Sequence, residues 1–140
     1  MGKLNVWGAL ALASSFGGSG AAQATTVYAQ PYNSGTYSLQ ASQNDTTGGN
    51  GNFATVYHNF TLGLSASLTS VSFTGGYFNP ATPGTITSFM LQFYGDSLGQ
   101  PGSSLYSTTV LGNGGESCDA SAICTYTFDV AFAAAAGTEY

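Results

Sequence analysis

Apolar and polar residues alternate along much of this chain with a period of two, the mark of strands that bury one face. The clearest case is residues 123–132 (ICTYTFDVAF), where Tyr126, Phe128, Val130 and Phe132 fall on one side. Val71 and Phe73 alternate in the same way within residues 68–74. In residues 53–62, Val56, Phe60 and Leu62 share a face with His58, which predicts a histidine set among apolar neighbours. Residues 85–94 are apolar on both sides: Phe89, Leu91 and Phe93 on one, Ile86, Met90 and Tyr94 on the other. That pattern predicts a central strand, or a strand with an aromatic patch outside. Residues 25–30, 36–41 and 105–111 are shorter strand candidates. No segment carries a convincing 3.6-residue period, and the alanine-rich residues 131–137 are too short to argue for a helix.

Between these segments lie residues that break regular structure. Residues 31–35, 43–52, 75–84, 96–102 and 112–122 are rich in Gly, Pro, Asn, Asp and Ser. Glycine permits positive φ, proline fixes φ, and Asp bonds its own nearby backbone, so each cluster predicts a turn or loop. Six or seven short strands separated in this way predict an all-β fold, an antiparallel β-sandwich of jelly-roll type.

The first 24 residues break the pattern. Lys3 precedes an apolar run at residues 4–13 (LNVWGALALA), small residues follow, and Ala22-Gln23-Ala24 ends the stretch. Cation, apolar run and small-x-small site, in that order, predict a secretory signal peptide over residues 1–24. The alternative is an N-terminal helix packed into the fold. Residues 25–140 then form a single β-sandwich domain, with cleavage expected between Ala24 and Thr25. The run is too short to span a bilayer, which takes roughly 20 apolar residues.

Composition agrees with export. Only 5% of residues are charged, against roughly 25% in an average soluble domain, and the net charge is −5 with Lys3 the sole basic residue. Such a chain has nothing with which to neutralise phosphate, which excludes nucleic acid as a partner and removes any electrostatic pull toward anionic lipid. Cys118 and Cys124 are the only cysteines. In an oxidising compartment they are expected to form a disulfide closing a short loop. A metal pair would need further ligands, and a redox pair usually has CxxC spacing.

Candidate chemistry is sparse. His58 is the only histidine and the only general base that would work near neutral pH. No G-x-S-x-G elbow accompanies it, so a hydrolase is the weakest expectation and no catalytic residue is assigned. Asp45, Asp96, Glu116 and Asp119 sit in loops and are expected to be solvated. Calcium is conceivable there, although no EF-hand series is present, so no cofactor or metal ligand is assigned. A carbohydrate- or calcium-binding module is the rival to a non-enzymatic surface role of unknown ligand, for which the expected partners are extracellular polysaccharide or surface proteins. Tyr77 and Phe78, in a loop, are its candidate ligand-facing residues, and the one Trp, Trp7, falls in the leader.

Four segments in order carry a resemblance: residues 53–63 (FATVYHNFTLG), 68–80 (LTSVSFTGGYFNP), 93–102 (FYGDSLGQPG) and 134–140 (AAAGTEY). Together they resemble secreted bacterial proteins of the PEP-CTERM type, which have a β-sandwich body and a C-terminal sorting tail handled by an exosortase. The resemblance implies a cell-surface or exopolysaccharide-matrix location and no particular activity. His58 stands where such sequences often carry an acid or amide. The Pro-Glu-Pro motif, hydrophobic helix and basic end of the sorting tail are not among these residues. The expectation is therefore a sandwich incomplete at its C-terminus, with residues 137–140 starting a strand that has yet to find its partner.

Overall fold

The computed structural model describes residues 4–15, 24–30, 40–44, 53–77, 86–113, 115–120 and 122–140. They form nine strands: β1 Leu4–Ser15, β2 Ala24–Gln30, β3 Gln40–Asn44, β4 Phe53–Ala54, β5 Ala66–Tyr77, β6 Ser88–Asp96, β7 Pro101–Leu111, β8 Ser117–Cys118 and β9 Ile123–Ala134. No helix occurs among the described residues. One antiparallel sheet runs β4-β3-β1-β5-β9-β8, with β2 also paired to β1; β6 and β7 make a second, two-stranded sheet. The two sheets pack face to face, as the alternation predicts.

Strand β9 is the spine of the core. Cys124, Tyr126, Phe128, Val130, Phe132 and Ala134 are buried, and the residues between them face out. Burying a large apolar side chain contributes roughly 1.5–3 kcal/mol, so the alternation alone orients the strand and sets its register against β5. Opposite it, the inner side of β6 supplies Phe89, Leu91 and Phe93. Phe93 stacks on Phe132 at 4.4 Å, and Phe89 meets Phe128 at 5.0 Å and Tyr126 at 5.1 Å. These aromatic contacts join the sheets. Aromatic pairs add about 0.5–1.5 kcal/mol each beyond the area they bury.

Three local outcomes differ from the sequence pattern. Gly75, Gly76 and Tyr77, read as loop, continue β5, with Gly75 opposite Cys124 and Gly76 opposite Ile123. A Cβ on Gly76 would lie 3.3 Å from the Ala122 carbonyl oxygen, so glycine here serves a close backbone approach rather than a turn. Of residues 53–62, only Phe53–Ala54 joins a sheet. Thr61 and Leu62 instead make single bridges to Glu139 and Ala136. The shorter candidate at 36–41 appears as Gln40–Asn44, and residues 31–39 and 45–52 lie outside the described ones.

The apolar run read as a leader falls within β1, which pairs with β5 from Leu4↔Tyr77 to Ser14↔Leu68. Leu12 of this strand is fully buried beside Val71 and Leu68. At the other end of the chain, Tyr140 and Phe60 exchange both backbone hydrogen bonds at 3.0 Å, and their rings stack at 5.3 Å. Residues 137–140 thus pair with residues 60–62.

Candidate functional site

The β6–β7 turn shows how closely this sequence sets local geometry. Ser97 and Gln100 bond each other's backbone, and Asp96 Oδ1 accepts the Gly99 N–H at 2.9 Å. Both central residues have positive φ, Leu98 at 57° and Gly99 at 77°. This is the two-residue turn whose twist matches that of the strands it joins. Asp96 is therefore committed to the turn rather than to a ligand.

The loop after β7 carries the denser constellation. Cys118 and Cys124 stand directly opposite each other on β8 and β9 and are joined by a disulfide, with S–S 2.03 Å. Asp119 turns the chain: its backbone N–H donates to the Ile123 carbonyl, and its Oδ1 accepts the Ile123 N–H at 3.0 Å. Glu116, expected to be solvated, is instead drawn inward. Its Oε2 accepts the Tyr77 hydroxyl at 2.6 Å and the Tyr126 hydroxyl at 2.8 Å. Tyr126 is 0% exposed and lies on Phe73 and Phe89. Burial, then the hydrogen bond to Glu116, pushes Tyr77 up to about 12, and the same causes in the same order raise Tyr126 further. Both phenols stay protonated donors across the physiological range.

Glu116, Cys118 and Cys124 bring three ligand-type atoms within 4.8 Å of one another. The two sulfurs are bonded to each other, so neither is a thiolate, the form that ligates metal. One carboxylate oxygen of Glu116, Oε2, is already held by two phenols. The group therefore works as a staple: the disulfide and the Tyr77–Glu116–Tyr126 cluster fix the loop to the end of the sheet. Tyr77 is half-buried against Cys124, Tyr126 and Phe128 with its hydroxyl bound to Glu116, and so anchors the loop. Phe78 lies outside the described residues. The Glu116 pairing is not legible in the sequence, because Gly75-Gly76 before Tyr77 signal a loop and 39 residues separate Tyr77 from Glu116.

His58 also departs from its expected place. It is exposed rather than set on the apolar face, because residues 55–60 run without the regular pairing that would have turned it inward. Its Nε2 lies 3.3 Å from the Tyr28 hydroxyl, and the two rings are 6.2 Å apart. Partial burial lowers its pKa below the ordinary 6.5. Beside it, Asn59 Nδ2 donates to Glu139 Oε1 at 3.0 Å, tying this segment to the last residues of the chain.

A third group escaped the sequence reading. Tyr57, 54% exposed, sets its ring edge-on to Tyr94 at 6.0 Å, and the Tyr94 hydroxyl donates to Gln92 Oε1 at 2.7 Å. Of the three apolar positions on the second side of residues 85–94, Ile86 packs against the core, Met90 is exposed and Tyr94 meets Tyr57, and β6 is not a central strand but half of a two-stranded sheet. No protein-family model matches this chain, and neither the curated proteins nor the solved structures contain a match.

Proposed function

We propose that this chain is a non-enzymatic exported protein of the bacterial cell surface or exopolysaccharide matrix, of the PEP-CTERM type. The observation that carries the proposal is the Cys118–Cys124 disulfide in a chain headed by a leader-like sequence. Disulfides persist outside the reducing cytoplasm. The contacts of four of the described polar groups support this reading. Glu116 is bound by two phenols, Asp96 and Asp119 shape turns, and His58 is bonded to a tyrosine hydroxyl. A surface rich in Ser, Thr, Asn and Gly, and poor in charge, suits a hydrated polymeric surrounding rather than a charged partner.

Localisation tests this reading. Antibody against the protein should label intact cells or their shed matrix when the gene is expressed in its own host. Signal confined to the cytoplasmic fraction would overturn the proposal. In the same material, His58→Ala should leave any measured hydrolytic background unchanged.

A further inference from the structure

We propose that the outer face of the β6–β7 hairpin, with Tyr57 at its edge, binds a neutral polysaccharide. The inference rests on the exported, matrix-facing reading above and names its ligand class. Along β6 the outward residues are Met90, Gln92 and Tyr94, and opposite Met90 and Gln92 stand Thr109 and Ser107 of β7. By strand rise the row from residue 90 to 94 is about 14 Å long, the footprint of a short stretch of polymer rather than of a small molecule. Tyr57 and Tyr94 supply two aromatic rings, and more than half of Tyr57 is open to solvent. Sugar C–H faces stack on such rings, whose amphipathic character suits a ligand apolar on one side and hydroxylated on its rim. Ser107 and Thr109 are exposed hydroxyls, and the Gln92 amide nitrogen carries two donors.

Electrostatics selects among occupants. Met90, Gln92, Tyr94, Ser107 and Thr109 are all uncharged, and the nearby carboxylate of Asp96 is turned into the hairpin to meet Gly99. The whole chain carries a net charge of −5, which repels an acidic polymer. Large contiguous apolar patches mark sites where a second protein docks. Here Met90, 67% exposed, alternates with the amide and hydroxyl positions instead. A neutral, hydroxyl-rich chain is the ligand that matches this face.

Affinity electrophoresis of the exported protein through gels containing soluble starch, hydroxyethylcellulose, galactomannan or alginate decides the matter. At least one neutral polymer should retard the protein and alginate should not. Tyr57→Ala should weaken the retardation about tenfold, the loss of one stacked ring. Gln92→Ala, checked by an unchanged melting curve, provides the second variant and should weaken it as well. Retardation by alginate alone, retardation indifferent to both substitutions, or no retardation in any neutral gel would overturn the inference. So would a dimer, detected by light scattering, that Tyr57→Ala dissolves. Each of these failures leaves the export reading standing, which falls only if the protein is retained in the cytoplasm.

Discussion

Leu98 occupies a left-handed backbone position, φ 57°, and is 100% exposed. A leucine gains nothing there and bears the steric cost of its Cβ. Asn tolerates this conformation and, followed by glycine, is the preferred pair for such a turn. Leu98→Asn should raise stability by about 1 kcal/mol, read as a higher denaturation midpoint with an unchanged slope. The turn itself was legible from Asp96, Gly99 and Pro101. The strained leucine was not, because nothing in its side chain signals positive φ. Glu116 makes the opposite case. Glu116→Ala would leave the buried Tyr126 hydroxyl without its acceptor, a loss of about 1–3 kcal/mol, whereas Glu116→Gln keeps a carbonyl acceptor and should cost less. Denaturant titration of the two variants should place them in that order. Equal stability of the wild type and Glu116→Ala would contradict the pairing. At His58 the sign follows from burial. The folded pKa is lowered, so around pH 6.5 and below the unfolded chain binds more protons than the folded one. Stability should therefore fall as pH drops through that region, and His58→Ala should flatten the slope in melts recorded across it.

Among the elements, β9 was the most legible, because its alternation is unbroken and Tyr126, Phe128, Val130 and Phe132 are bulky apolar residues that hold it in the core. Strand β5 was half legible: Val71 and Phe73 gave its middle, while Gly75 and Gly76 mimicked a turn. Both pair with β9, and at Gly76 the Ala122 backbone comes too close for a Cβ to fit easily. Strand β1 is the instructive conflict. An apolar run with a cation before it and a small-residue site after it has the form of a leader, yet it is also a good strand, and a single sequence supports both. If export removes residues 1–24, β5 loses the partner that covers its edge and the core loses Leu12. The product starting at Thr25 should then be less stable than the uncleaved chain. The loss of Leu12 alone accounts for about 2–5 kcal/mol, judging by comparable truncations. Its open β5 edge, without a lysine or proline to guard it, should also promote self-association. Denaturation and light scattering on both forms make the comparison, and identical behaviour would mean that β1 contributes nothing to the working fold.

For the whole molecule, the sandwich followed from period-two patterning and the near absence of charge, both of which are local properties. Which strand lies beside which is set by contacts far apart in sequence, such as Phe93 on Phe132 and Tyr140 on Phe60. Those partners emerge only when the sheets close on each other. The same holds for Tyr57 and Tyr94, whose meeting no spacing announces. The proposed export would tie these features to a role, since it would account together for the leader-like N-terminal sequence, the disulfide and the charge-poor composition. Intact mass of the protein recovered outside the cytoplasm, alkylated with and without prior reduction, tests it most directly. The account predicts a chain beginning at Thr25 that takes up alkylating reagent at two cysteines only after reduction. A chain that keeps residues 1–24 and alkylates at Cys118 and Cys124 without reductant would contradict it.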